Sequence, residues 1–407
     1  MCKLFFICLF IVFCPYLQAQ EYLPKGTWHV ALTLQNKEIP FSLETSIEKG
    51  RQVAYIRNGE EKIRLDEFLK IGDTITVVLH IFDAILKGKL DNNKIWKGYW
   101  IKLDTKQPYI IPFTATLGDV ARFKVYKNTL PTINFTGTWE AIFKNSDGST
   151  YPAVGVFQQK NNQLTGSFLT TTGDYRYLEG IAIGNTFELS TFDGNHAFLF
   201  EATIDAQNKL AGSFWAGKGG YETFTAFINE KAALPDANSL TYLKDGYDKL
   251  TFAFPNLENK SISLQDDRYK GKVVVIQILG SWCPNCMDET AFLSPYYRKH
   301  YKKGIEIIGL AYERSPSFEQ AKARLEKLKN RYQITYELLV AGISDKQSAS
   351  NTLPALNAVL AFPTTIFIDK QGKVRRIHTG FTGAGTGVYY ENFKEEFKNF
   401  INQLLKE

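Results

Sequence analysis

Residues 272–289 read KVVVIQILGSWCPNCMDE. The run Lys272–Leu279 is apolar almost without a break, as expected of a strand buried on both faces within a parallel sheet. Gly280-Ser281-Trp282 then turns the chain. A helix is expected from Pro284, because proline at the first helical position gives up an N–H that would be unpaired there anyway. That places Cys283 at the helix N-terminus, where free amide N–H groups and the positive end of the helix dipole stabilise a thiolate. Cys286 follows three residues on, on the same face and within reach of a disulfide. A low-pKa thiol beside a second thiol is what thiol–disulfide exchange requires.

The chain has 407 residues and five cysteines: Cys2, Cys8, Cys14, Cys283 and Cys286. Met1-Cys2-Lys3 is a short basic start, Leu4 to Phe13 an apolar run, and Leu17-Gln18-Ala19 a small-residue exit. This is the layout of a secretory signal peptide over residues 1–19. An uncleaved membrane anchor is the rival reading, and lipidation of Cys14 is disfavoured by the bulky Phe13 before it. Cleavage after Ala19 leaves 388 residues with two cysteines. Exported proteins ordinarily use cysteines as structural staples, yet a bridge that closes only four residues removes little unfolded-state entropy. The pair is therefore expected to be chemical rather than architectural.

Outward from the dithiol, strands and helices alternate. Strands are expected at 305–311, 335–340, 365–369 and 374–379, and helices at 285–300, 317–332, 348–360 and 390–405, an α/β domain over residues 251–407. Upstream, short runs of β-branched and aromatic residues recur every 8 to 12 residues between turns such as Asn161-Asn162 and Asp193-Gly194, which reads as antiparallel barrel or sandwich. Gly26-Thr27-Trp28 returns 111 residues later as Gly137-Thr138-Trp139. Ile71-Gly72-Asp73-Thr74, Phe82-Asp83 and Gly98-Tyr99-Trp100 return as Ile183-Gly184-Asn185-Thr186, Phe192-Asp193 and Gly212-Ser213-Phe214-Trp215. Four landmarks in one order point to a duplicated unit. The expected division is 20–130 and 131–230 for two β-rich units, 231–250 for a polar linker, then the α/β domain over 251–407: a multidomain protein with a duplicated all-β region and a C-terminal α/β domain.

Other chemistries find little support. Lys+Arg 48 against Asp+Glu 42 gives a net charge of +6 without a basic run, so nucleic acid is not an expected partner. A zinc site needs two more ligands, and His29, His80, His196, His300 and His378 have no ligand spacing, so no metal is expected. Peroxidase chemistry wants a Thr or Ser three residues before the reactive cysteine, where Gly280 stands. Gly383-Ala384-Gly385-Thr386-Gly387 lacks the spacing and the following strand of a dinucleotide loop and reads as a flexible loop.

Phe254-Pro255-Asn256-Leu257, Ser261-Ile262-Ser263-Leu264, Gly271-Lys272-Val273-Val274-Val275, Ser281-Trp282-Cys283-Pro284-Asn285-Cys286 and Phe362-Pro363-Thr364-Thr365-Ile366-Phe367-Ile368-Asp369 occur in that order. In these pieces the segment from about residue 252 resembles the TlpA-like thioredoxin-fold disulfide reductases of bacterial periplasms, in the style of Bacteroidetes members. The resemblance implies Cys283 as nucleophile, Cys286 as resolving cysteine, and Pro363 after a cis bond facing them. Trp282, Pro284, Asn285 and Phe362 would join Pro363 in contacting a partner chain. No cofactor beyond the redox-active pair is implied. The implied partners are disulfide-containing exported proteins and a membrane thiol electron donor. The competing class is an envelope ligand- or partner-binding protein whose dithiol senses redox state. One departure stands out: thioredoxins carry a buried acid six residues before the first cysteine, and Gln277 occupies that place. Glu289 matches a carboxylate seen in many TlpA-like proteins and is the candidate proton acceptor, although acids also favour early helix turns for electrostatic reasons alone.

Overall fold

The computed structural model describes residues 21–105, 107–123 and 130–407. The signal-peptide reading, with Cys2, Cys8 and Cys14, lies outside the described residues. Alternation of buried and exposed side chains builds the first unit from β1 (Gly26–Leu34), β2 (Lys37–Glu48), β3 (Arg51–Asn58), β4 (Glu61–Leu65), β5 (Phe68–Ile71), β6 (Thr74–Val78), β7 (Ala84–Asp91), β8 (Ile95–Lys102) and β9 (Tyr109–Leu117). In β1, Trp28, Val30, Leu32 and Leu34 face inward and the residues between them are more exposed. The second unit comprises β10 (Gly137–Lys144), β11 (Thr150–Lys160), β12 (Gln163–Thr170), β13 (Gly173–Asp174), β14 (Leu178–Ile183), β15 (Thr186–Phe192), β16 (Ala197–Ile204), β17 (Leu210–Ala216) and β18 (Gly220–Ile228).

The two units share one plan. Each is an antiparallel meander whose first strand pairs with its last, β1 with β9 and β10 with β18. Gly26 and Gly137 open them with φ of 139° and 134°. Trp28 and Trp139 are buried, and each donates its Nε1–H to the carbonyl four residues earlier, Pro24 at 3.2 Å and Phe135 at 2.9 Å. The two Ile-Gly turns join β5 to β6 and β14 to β15. The units differ at one seam. β12 pairs with both β11 and β14 and closes the second barrel, whereas among the described residues β4 and β5 are the edge strands of the first. The second barrel is filled by its own aromatic rings, including the buried Phe143, Phe168, Phe187, Phe200, Phe214 and Phe224, so it is a packed core rather than a ligand chamber.

The stretch 231–250, expected as a polar connector, is docked on the C-terminal domain. A short helix α1 (Ala237–Leu240) lies against residues of the last strand, Thr241 and Leu250 are buried, and Lys244 and Tyr242 exchange backbone hydrogen bonds with Ala355 and Asn357.

Beyond it, a small hairpin, β19 (Ala253–Pro255) and β20 (Ser261–Ser263), precedes β21 (Val273–Leu279), helix α2 (Pro284–His300), β22 (Ile305–Glu313), α3 (Phe318–Tyr332), β23 (Glu337–Ile343), α4 (Lys346–Thr352), β24 (Thr364–Ile368), β25 (Val374–Thr379) and α5 (Val388–Lys406). The sheet order is β23-β22-β21-β24-β25, with β21, β22 and β23 parallel and the last two antiparallel, the thioredoxin-like arrangement. Every residue of central β21 is buried. The helix expected over 348–360 stops at Thr352, because Leu353 precedes Pro354 and is pushed out of the helical region to ψ 65°. The apolar core of the first unit runs on into the α2, α3 and α5 side of this sheet.

Candidate active site

The dithiol sits at the end of β21. Cys283 caps α2 with extended backbone (φ −100°, ψ 111°), and the Cys286 N–H points at its sulfur at 3.2 Å. The two cysteines are joined as a disulfide with Cα atoms 5.3 Å apart. Cys286 is fully buried and Cys283 is 5% exposed, so Cys283 is the sulfur a partner can reach. The loop before them is fixed by a buried carboxylate: Glu313 at the end of β22 accepts the Ser281 N–H at 2.8 Å and its hydroxyl at 2.6 Å. Trp282 donates its Nε1–H to the Tyr312 carbonyl at 2.8 Å, and its ring meets Phe362 edge-on at 5.4 Å. The Phe362–Pro363 bond is cis, and the Phe362 carbonyl lies 3.3 Å from Cys283 Sγ. Trp282, Cys283, Pro284, Asn285 and Phe362 thus line one cleft of about 230 Å³; Pro363, next in the chain, is buried and is not part of that lining.

Glu289 lies one helical turn past Cys286, completely buried. Its carboxylate accepts an N–H from Gln277 at 2.9 Å and the hydroxyl of Thr365. Burial pushes its pKa up to about 7 against the pull of these two hydrogen bonds. Gln277, the departure from the thioredoxin pattern, therefore holds this acid, and the same amide also reaches the Cys286 carbonyl at 3.3 Å. A buried carboxyl poised near neutrality can hold or release a proton under working conditions.

Sequence reasoning missed the second half of the site. The β12–β13 hairpin lies over the N-terminus of α2, and Asn285 donates its side-chain N–H to the Asp174 carbonyl at 3.1 Å. Asp174 Oδ2 accepts the Gly383 N–H at 2.5 Å, so the glycine-rich stretch 383–387 is tied down rather than free. Asn195 donates to the Trp282 carbonyl at 2.8 Å. Arg176 reaches the Pro284 carbonyl at 2.9 Å and pairs with Asp288 and Glu61. Asp288 is raised to about 7 by burial, partly opposed by Arg176, although its side chain keeps 27% exposure. Asn195 directly follows the Asp193-Gly194 turn, and none of Asn195, Asp174 and Arg176 belongs to a motif.

Residues 230–390 match the Redoxin family. The thiol-disulfide oxidoreductase ResA of Geobacillus thermodenitrificans is 29% identical over 163 residues, 40% of this chain and 79% of that one. The ResA of Bacillus anthracis is 26% identical over 189 residues, 46% of this chain and 90% of its own. Among solved structures, a putative protein disulfide isomerase from Bacteroides thetaiotaomicron is 21% identical with a TM-score of 0.30, covering 41% of this chain and 93% of that one. A putative thiol:disulfide interchange protein DsbE from Chlorobium tepidum is 20% identical with a TM-score of 0.29, covering 38% and 98%. The sequence matches, together with a cysteine pair at the junction of a buried strand and a helix, make this chain a TlpA-like, thioredoxin-fold thiol–disulfide oxidoreductase that carries an additional N-terminal β-rich region.

Proposed function

We propose that the chain is an exported reductase of protein disulfides, working in the periplasm and re-reduced by a membrane thiol carrier. The observation that carries this reading is the asymmetry of the pair. Cys283 faces the cleft at a helix N-terminus, and Cys286 lies fully buried behind it beside the carboxyl-bearing Glu289 layer. The Cys283 thiolate attacks a partner disulfide, and Cys286 displaces the mixed disulfide. Glu289 holds or takes the resolving thiol's proton. Trp282, Pro284, Asn285, Phe362 and Pro363 form the surface that receives the partner. No cofactor beyond the pair is required.

The reduced mature chain should therefore turn over a disulfide-bonded polypeptide with dithiothreitol as electron source, and Cys283→Ser should abolish turnover. Failure of the intact chain to turn over any polypeptide disulfide overturns the reading. In that case the second reading, a partner-binding protein whose dithiol senses redox state, gains ground from the direct contacts between the second barrel and the dithiol loop. Trapping mixed disulfides on Cys286→Ala in the source cell identifies the exported partners.

A further inference from the structure

The cleft at Cys283 is built by two parts of the chain. Trp282, Cys283 and Phe362 line it from the C-terminal domain, and Thr172, Tyr175 and His196 line it from the second β-unit. The covering hairpin is fixed in place. Gly173 has φ of +148°, and a Cβ there would fall 2.2 Å from Asn285 Nδ2, so a side chain at this position would strain the backbone and push the Asn285 amide from its bond to Asp174. Asn285, Gly383, Trp282 and Pro284 are each hydrogen-bonded to the barrel's Asp174, Asn195 or Arg176. Arg176 is 8% exposed and pairs with carboxylates of the first unit and of α2. A passing substrate does not displace a wall held this way.

The space left is small. The cleft measures about 230 Å³, and Cys283, one of its lining residues, is only 5% exposed. An extended segment can pass between the hairpin and Phe362 to reach the sulfur, whereas the flank of a folded domain meets the hairpin first. We propose that the second β-unit is the outer wall of the substrate cleft, with Thr172, Tyr175 and His196 as specificity-determining residues. The chain then acts on disulfides carried by extended, unfolded segments rather than on those set in the surface of a folded domain. This rests on the reductase reading above. In the step itself, the Cys283 thiolate bonds to one substrate sulfur and the substrate S–S bond breaks. The departing thiolate takes up a proton. Cys286, giving up its own proton, then attacks Cys283 Sγ and breaks its bond to the substrate sulfur, which leaves as a thiolate and takes up a proton; Cys283–Cys286 is left oxidised and the segment reduced by two electrons.

The test uses the full mature chain in its reduced form and two probes: a pair of unstructured synthetic peptides joined by one disulfide, and a folded protein with one surface disulfide. The peptide pair should react faster by about a hundredfold, since a small misplacement of reacting atoms has that effect. Thr172 is exposed on the hairpin and lines the cleft, so Thr172→Trp fills the cleft without entering a core. It should slow the peptide reaction about tenfold or more while leaving the dithiol's midpoint potential against dithiothreitol unmoved. His196→Ala widens the cleft and should narrow the preference for peptide. Equal rates on both probes, or a peptide rate unchanged in both variants, overturn the wall and leave the reductase standing. No turnover of either probe by the wild-type chain overturns the reductase reading itself.

Discussion

Replacing Glu289 by glutamine removes a fully buried carboxyl that burial holds up at about 7. The ordinary value is 4.5, so between these pH values the folded chain keeps a proton that the unfolded chain releases. The resulting stabilisation is fully present below pH 4.5 and is lost as the pH rises through 7, because the charged form must then be kept in an apolar layer. At 1.36 kcal/mol per pH unit of difference, the loss is about 3 kcal/mol by pH 8. Glutamine does not ionise. Oxidised Glu289→Gln should therefore match the wild type within about 1 kcal/mol near pH 4.5, the range of a single altered hydrogen bond. It should be the more stable protein by up to about 3 kcal/mol at pH 8. Guanidinium unfolding, read through amide exchange in α2 so that the transition reports the C-terminal domain, measures this. A shallower slope should persist in the variant from Asp288, which is raised in the same direction but is partly exposed and paired with Arg176. A difference between variant and wild type that is identical at pH 5 and pH 8 would refute the reasoning.

In the reduced chain the same Glu289→Gln change should slow release of a bound peptide from its mixed disulfide at neutral pH, read by stopped flow; an unchanged rate makes Glu289 a structural acid only. Trp28→Phe and Trp139→Phe each delete the indole N–H donated to the carbonyl four residues back, and each should cost about 1 kcal/mol in chemical unfolding; a large loss for one and none for the other would contradict the equivalence of the units. Arg176→Met leaves Glu61 and Asp288 facing each other without their cation and should destabilise the chain by about 3–5 kcal/mol, with faster alkylation of reduced Cys283; slower alkylation would refute the clamp. A fragment 237–407 should melt above 251–407, since only the longer one keeps Thr241 and Leu250 in their buried places, and both should melt below the full chain because the first unit's core continues into their helices.

The C-terminal domain was legible because its decisive signals are local. A continuous apolar strand, a proline one residue after a cysteine, and period-3.6 helices fix element types within a few residues of themselves. The repeat was legible for a related reason. Gly26 and Gly137 occupy positive φ, and Trp28 and Trp139 bond to the fourth residue back, so the same short-range requirement had to be written twice. The structure departs from local signals where a neighbour overrides them. Pro354 acts on the residue before it and ends the helix at Thr352, short of the 348–360 that helical periodicity predicts, and the polar stretch 231–250 buries Thr241 and Leu250.

What could not be read is the clamp on the dithiol, and the reason is physical. Arg176, Glu61, Asp193 and Asp288 come from the second unit, the first unit, the second unit again and α2, and they meet only after all three bodies have docked. A buried ion cluster stabilises through completeness. Each member taken alone is an ordinary surface residue type, and the desolvation cost is offset only when every partner is in place. Such a cluster leaves no periodicity and no spacing in the sequence. It also ties the chemistry to assembly: the carbonyls of Trp282 and Pro284, on either side of Cys283, are held by Asn195 and Arg176. The geometry that the attacking sulfur presents to a partner is therefore completed by a β-barrel that contains no cysteine of its own.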